Sequence, residues 1–399
     1  MAGLDNLNVL GSSQAGTTAT IEEQTELLLR QFDTVNTFFI AKIAEQIRRI
    51  GMMSQASINT YTVMSQMVQD IGEINAQLQK ALGASRSILQ GIFQTALDNV
   101  YTDQRFHRAL TETPLPDAAK VRLEQYVQAV SRQTAGTLQN LSNTTAVSQQ
   151  YRDAVDKAIL AVSSGMGDYK AATRQVVREL GYGGMKILYA SGYRRRLDSS
   201  VRQNIVDATR QINQHGSDIM GEALGFDAYE ISAHANSAPD HEPIQGHVLL
   251  ADEFHKMQSG QPFTDVDGRR YAGFRRSIGE WNCMHIALSF STKYSVRKFT
   301  DAQLRQFIDD NHRGCTIGKR HYTIYQARQL MRQIETEVRR EKDAGNAARL
   351  ADDEQLRTKC QQRIDVLVTQ YEQVSAASGL RQRKDRMQVD GYKMVRIKS

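Results

Sequence analysis

The chain has few of the residues that shape small secreted proteins. Only 3 of its 399 residues are cysteine and only 5 are proline. The thiols of Cys283, Cys315 and Cys360 cannot all pair within one chain, which excludes a disulfide-rich secreted scaffold and indicates a reducing compartment. Hydrophobic residues make up 40% and charged residues 24%, a globular mixture that excludes wholesale disorder.

The sequence also lacks long apolar runs and the short motifs of common enzymes. The run Phe38-Phe39-Ile40-Ala41 ends at Lys42, well short of the ~18–20 residues of a membrane span. Residues 1–20 have neither the basic nor the apolar region of a signal peptide, so we expect a soluble, unexported protein without a membrane partner. No P-loop, nucleophile elbow, zinc-protease helix or kinase set occurs. The protein is therefore not expected to be an enzyme.

The positive charge of the chain is concentrated near one end. Of the formal net charge of +6, residues 376–399 carry +5, from seven basic and two acidic side chains. The basic residues are Arg381, Arg383, Lys384, Arg386, Lys393, Arg396 and Lys398. A protein that wraps duplex DNA is basic along its body, and this body is almost neutral. The basic C-terminal tail is therefore either a solvated segment or a contact for DNA.

Apolar residues at spacings of three and four predict helices over the first 183 residues. The first stripe consists of Leu28, Phe32, Val35, Phe39, Ile43, Ile47 and Ile50. It follows Thr20-Ile21-Glu22-Glu23, which has the form of a capping box. We predict a flexible N-terminal arm over residues 1–19 and an all-helical domain over residues 20–183.

The pattern changes to short apolar runs at residue 184, which predicts a small α+β domain over residues 184–320. Strands are expected near residues 185–190 and 229–232, with a helix over residues 197–224 between them. Residues 233–282 hold three of the five prolines and show no periodicity. A segment of this kind cannot bury much apolar area by itself, so we expect it to be irregular and functional or held by other groups.

Helical periodicity returns near Tyr322 and is interrupted at Gly345-Asn346. We predict a helical hairpin of coiled-coil type over residues 321–375, with the tail of residues 376–399 after it. Core packing between the two arms explains its narrow apolar seams, and partner binding is the alternative. The expected fold class is mostly α with a small α+β central domain.

The irregular centre carries histidine and cysteine at positions that suit a metal. Imidazole and thiolate are good zinc ligands, and two close pairs joined by a long loop suit a tetrahedral site. The candidate ligands are His234, His241, Cys283 and His285. Their spacing matches no standard zinc finger, so a structural zinc and a knot of histidines hydrogen-bonded to loop carbonyls both stay open. A nucleophilic pair of Cys283 and His285 is disfavoured because no third group is placed to orient the base.

We expect the four side chains to converge in either case. Ordering each backbone residue of the loop costs on the order of 1–2 kcal/mol, and few apolar groups are available to offset that cost. A few strong interactions must therefore hold the loop in place. A structural zinc could supply them, since it contributes roughly 10 kcal/mol or more of apparent binding free energy. No other cofactor is expected.

Several segments match, in order, the motifs of one known family. The loop Ile231-Ser232-Ala233-His234-Ala235, followed by His241 and Gln245-Gly246, is similar to its signature loop. Asn282-Cys283-Met284-His285 matches its N-C-x-H element. Over about residues 25–390 the chain resembles the tailed-phage minor capsid protein 2 family, which is related to the Mu-type head morphogenesis proteins.

The resemblance implies a non-enzymatic minor structural protein of a phage head, acting in head assembly and in genome packaging or delivery. Its implied partners are the portal protein and other head proteins, with packaged DNA reached through the basic tail. It would be oligomeric in the virion and assembled in the bacterial cytoplasm. Two alternatives stay open. A metal-dependent enzyme or toxin-like domain would show an open coordination position, and a DNA-binding virion protein would show salt-sensitive binding that depends on the tail.

Overall fold

The computed structural model describes residues 15–52, 60–143, 146–163, 169–274, 276–279, 283 and 285–395. These residues form eleven α-helices and nine short β-strands. The expectation of a mostly helical protein with small sheets is confirmed.

Six helices lie between residues 15 and 183. They are α1 (Ala15–Met52), α2 (Thr60–Tyr101), α3 (Gln104–Glu112), α4 (Asp117–Asn143), α5 (Val147–Ser163) and α6 (Tyr169–Gly183). The predicted apolar stripe of α1 is buried from Leu28 to Ile50, which explains why this segment is helical. Because α1 begins at Ala15, Thr20 lies inside the helix and its predicted role as a cap is wrong. Residues 1–14 of the predicted arm lie outside the described residues.

The central part combines small antiparallel sheets with one long helix. β1 (Lys186–Leu188) pairs with β2 (Arg194–Arg196), and α7 (Leu197–Leu224) follows directly with the predicted bounds. β3 (Ala228–Ile231) is the middle strand of a three-stranded sheet. Its neighbours are β4 (Val248–Leu250) and β7 (Ala287–Phe290). β7 brings the distant residues around 285 beside the loop that follows β3.

The segment of residues 233–282 is more ordered than expected. It contains α8 (Ala251–Gln258) and the strand pair β5 (Phe263–Thr264) and β6 (Arg270–Tyr271), in addition to β4. Its apolar side chains also share a buried cluster with the sheet. The cluster comprises Ile231, Ile244, Leu249, Phe254, Met257, Phe263 and Ala287. The prediction that this segment is irregular and lacks an apolar core is therefore wrong.

Three further helices and one β-hairpin precede the C-terminal segment. The elements are α9 (Asp301–Arg313), β8 (Cys315–Ile317), β9 (Arg320–Tyr322), α10 (Ile324–Leu350) and α11 (Glu354–Ser378). The predicted break at Gly345 is wrong, because α10 continues to Leu350. A Cβ on Gly345 would lie 3.2 Å from the Tyr392 ring and 3.7 Å from Cys360, so the glycine allows close packing rather than ending the helix. Tyr371 of α11 donates a hydrogen bond to Glu335 of α10 at 2.8 Å.

The chain divides into two compact units, each built from three separate segments. The first unit comprises residues 1–26, 86–136 and 202–326, and the second comprises residues 27–85, 137–201 and 327–399. In the first unit, α2, α3, α4 and α7 share one buried cluster. It includes Leu97, Phe106, Leu123, Ile219 and Met220. The linear division into an arm, an all-helical domain, an α+β domain, a hairpin and a tail stays a prediction.

The described part of the basic tail packs within the second unit. Met387 and Val389 are buried, and the Asp390 N–H donates a hydrogen bond to the Asp33 carboxylate of α1 at 3.1 Å. Arg383 pairs with Asp385 at 3.0 Å and Lys384 with Glu372 at 2.9 Å. The segment is therefore anchored at Met387 and Val389, while the Lys384 side chain is 59% exposed. Arg396 and Lys398 lie outside the described residues.

Candidate functional site

Strand pairing in the first unit brings the two halves of the His/Cys cluster together. The chain leaves β3 through Ser232 toward His234, and a 3-10 turn follows His241. Cys283 and His285 lie just before β7, the antiparallel partner of β3. The Ser232 N–H donates to the Ile286 carbonyl at 2.8 Å, which extends the pairing beyond the strands. The sheet register therefore places residues some fifty positions apart at one end of the sheet.

Three of the predicted side chains form a tight, buried group. His241 Nδ1 lies 3.2 Å from Cys283 Sγ, and His285 Nδ1 lies 3.8 Å from the same sulfur. One ligand atom from each residue can be chosen so that all three atoms lie within 4.8 Å of one another. His241, Cys283 and His285 are 1%, 6% and 2% exposed. Cys283 is thus closer to His241 than to His285, the partner considered from the sequence.

His234 lies beside this group but does not contribute to it. Its ring stacks on that of His285, with ring centroids 4.6 Å apart and planes 24° from parallel. Its backbone N–H donates to the Gln245 side chain at 3.2 Å, which fixes the start of the loop. The His241 ring meets His285 and Phe274 edge-on, at 5.7 and 5.6 Å between centroids. The four predicted residues do converge, with three as potential ligands and His234 as a stacking neighbour. Asn282 and Met284 lie outside the described residues.

A backbone carbonyl orients the His241 ring. His241 Nε2 lies 2.7 Å from the Arg276 carbonyl oxygen. Because a carbonyl oxygen can only accept, Nε2 carries the proton and Nδ1 faces the sulfur of Cys283. Sequence reasoning missed Arg276, since its main-chain carbonyl leaves no signature in the sequence.

The charges around the cluster favour a thiolate. Burial works to raise the pKa of Cys283, but hydrogen bonds from His241 and the Gly279 backbone outweigh it, and the pKa falls below its usual value. Burial works to lower the pKa of His241, but the nearby Cys283 sulfur more than offsets this and raises it. His285 differs, because burial and the neighbouring His234, His241 and Arg276 hold its pKa well below the usual range. Its imidazole is neutral at pH 7.

A second polar cluster in the same unit is already satisfied by the protein's own groups. The buried Asp265 carboxylate lies 2.9 Å from His247 Nδ1 and accepts hydrogen bonds from the Tyr271 hydroxyl and from the backbone N–H groups of Asp267 and Arg269. The Arg269 guanidinium stands 2.8 Å from His247 Nδ1. Burial and the charge of Arg269 lower the pKa of His247. A guanidinium thus supplies the positive charge beside Asp265, and the cluster is a structural knot.

Taken with the fold, the family match defines a structural protein of a bacteriophage capsid. The chain belongs to the phage minor capsid protein 2 family, whose model matches residues 21–373, nearly its whole length. All four residues of the His/Cys cluster lie inside the matched span. No curated protein and no solved structure gives a significant match. Within the described residues, no helix is long and apolar enough to cross a membrane.

Proposed function

We propose that the protein is an oligomeric component of a tailed-phage head that attaches to the portal and the inner capsid. It acts there in head assembly and in genome packaging or delivery, without catalysing a reaction, and joins the particle in the host cytoplasm. The observation that carries this proposal is the family match over residues 21–373.

Exposed apolar side chains on the long helices support contact with other head proteins. Met64 and Val68 lie one turn apart on α2 and are 46% and 67% exposed. Residues four apart on a helix occupy the same face, so these two form a small apolar patch on the second unit. Leu160 on α5 is 72% exposed in the same unit. Apolar groups of this kind are typical of protein interfaces when they cluster.

The experiment is a deletion of the gene in the phage, complemented with the wild-type chain or with variants. We expect particles without the protein to lose DNA content or infectivity, and cross-linking in complemented particles to join the protein to the portal. The double variant Met64→Asp with Val68→Asp should enter particles poorly. The matched control is Asn75→Asp with Gln77→Asp, which adds the same charges at exposed positions of α2.

Two results would contradict the proposal. One is fully infectious particles with normal DNA content in the absence of the protein. The other is cross-linking that spreads evenly over the major shell, without enrichment at the portal.

DNA contact through the tail is the weaker alternative. Two of the tail's basic side chains, Arg383 and Lys384, already pair with Asp385 and Glu372. Their charge is therefore partly neutralised by the protein itself.

A further inference from the structure

We infer that His241, Cys283 and His285 bind one zinc ion, which fastens the loop after β3 to the strand β7. This inference concerns the folding of the first unit and does not depend on the proposed role in the head. It rests on the distances, the orientation of the rings and the burial of the three side chains.

The distances match those of a zinc site before any ion is placed. In tetrahedral zinc sites the metal lies about 2.3 Å from sulfur and about 2.0–2.1 Å from nitrogen, which separates the two ligand atoms by about 3.6 Å. The separations from Cys283 Sγ are 3.2 Å to His241 Nδ1 and 3.8 Å to His285 Nδ1. They fall on either side of the ideal value, so shifts of a few tenths of an ångström on the scale of ordinary side-chain motion would complete the geometry.

The outer contacts of His241 are those that metal-binding histidines require. Such a histidine usually donates its second ring N–H to a carboxylate or a backbone carbonyl, which fixes the tautomer and the ring orientation. His241 Nε2 has this contact, at 2.7 Å from the Arg276 carbonyl oxygen. Nδ1 then faces the centre of the group and is placed to ligate an ion in exchange for its proton.

The donor set and the burial together select the metal and its role. A cysteine sulfur and two histidine nitrogens suit zinc and do not suit magnesium or calcium, which prefer oxygen ligands. All three ligands are at most 6% exposed, so an ion here would be sealed inside the unit rather than open to a substrate. Its effect would be to cross-link the loop and β7, while His234 holds the His285 ring by stacking.

The test uses the full-length chain, stripped with chelator and then loaded with zinc or with cobalt(II) as a spectroscopic probe. We expect one equivalent of zinc per chain, and in the cobalt form a thiolate-to-cobalt charge-transfer band in the near ultraviolet. Cys283→Ser should abolish the band and weaken zinc binding by at least about tenfold. The matched control is Cys315→Ser, which removes another buried thiol outside the group and should change neither result.

Two more variants separate ligation from folding. His241→Gln should lower zinc affinity while far-UV circular dichroism shows unchanged helix content, and His234→Phe, which keeps a stacking ring, should retain the ion. Less than a tenth of an equivalent after loading, or a charge-transfer band that persists in Cys283→Ser, would overturn the site. Loss of zinc in His234→Phe with an intact fold would overturn the assignment of the three ligands.

Discussion

Arg105 shows how strongly single residues can control the stability of the first unit. Its guanidinium lies 2.6 Å from the Glu230 carboxylate of β3 and 2.7 Å from that of Asp103, the N-cap of α3. The three side chains are 5%, 1% and 4% exposed. The arginine therefore neutralises two buried carboxylates and ties a helix to the central sheet.

Arg105→Met should destabilise the protein by about 3–5 kcal/mol, because it removes the guanidinium that contacts two buried carboxylates. The loss would be measured as a shift in urea unfolding followed by circular dichroism. Lys120→Met is the control, since its partner Asp117 is 94% exposed, and surface pairs contribute less than about 1 kcal/mol. Similar losses in the two variants would contradict the importance of burial.

Asp33 should make the stability of the second unit depend on pH. Burial, followed by the charge of Asp343, raises its pKa from 3.8 to about 7. Between these two pKa values the folded state holds a proton that the unfolded state has lost. The contribution of Asp33 to the free energy of unfolding is therefore largest below about pH 4 and declines as the pH rises toward 7.

Asp33→Asn should therefore gain stability relative to the wild type as the pH rises, by at most about 1.4 kcal/mol per pH unit. Urea unfolding at pH 5, 6, 7 and 8 measures this difference. Asp117→Asn is the control. The pKa of Asp117 is lowered, so this carboxylate stays ionised from pH 5 to 8 and its replacement should change stability by the same amount at each pH. A flat difference for Asp33→Asn as well would show that its carboxyl titrates normally.

At the scale of elements, two helical glycines have opposite roles. In α6 a Cβ on Gly181 would lie 2.4 Å from the Ala344 Cα of α10, so the two helices can approach only because the side chain is missing. In α2 a Cβ on Gly72 would meet no described atom within 4 Å.

Gly181→Ala should destabilise the protein by about 1–3 kcal/mol, since one of the helices must move. Gly72→Ala should stabilise it by about 0.5–1 kcal/mol, because alanine loses less backbone entropy in a helix. Thermal and urea unfolding of the two variants would be compared directly. Effects of the same sign would show that the packing of α6 on α10 tolerates a side chain.

The elements differ in how far the sequence predicts them. α7 was predicted from Leu197 to Leu224 because a long helix with one buried face carries a clear period. α9 was not predicted, since only Leu304 and Asn311 are buried along it and no apolar stripe forms. The signal that was present is the capping box of Thr300 and Gln303, which marks the start of α9.

The site was predictable in its residue types and not in its arrangement. Histidine and cysteine flanking a long loop suggested convergence, and the pairing of β3 with β7 supplies it. Which histidines can act as ligands and which one only stacks depends on the orientation of their rings. That orientation is set by the Arg276 carbonyl and by the stacking of His234 on His285. These contacts follow from the path of the loop and have no counterpart in local spacing.

At the scale of the whole molecule, the first unit depends on residues far from the sheet in sequence. Its apolar cluster joins Leu97, Phe106 and Leu123 to Ile219 and Met220. A fragment that starts after residue 183 would leave the apolar face of α7 exposed to water.

A fragment of residues 184–320 should therefore keep some helix but show no cooperative unfolding transition, while a fragment of residues 86–326 should show one. Circular dichroism during thermal unfolding, with hydrogen exchange of the central strands, distinguishes the two outcomes. Cooperative unfolding of the shorter fragment would show that α2, α3 and α4 are dispensable for this unit.

The contact between Asp33 and Asp390 has a consequence for how the protein is made. It joins residues 357 positions apart, so the second unit cannot close until almost the entire chain has left the ribosome. At about 5–20 residues per second, synthesis of this length takes roughly 20–80 s. Throughout that interval α1 lacks its contacts with Asp390, and the unfinished unit is open to aggregation or to capture by a chaperone. The rate of translation, as much as thermodynamic stability, would then set the yield of folded protein in an infected cell.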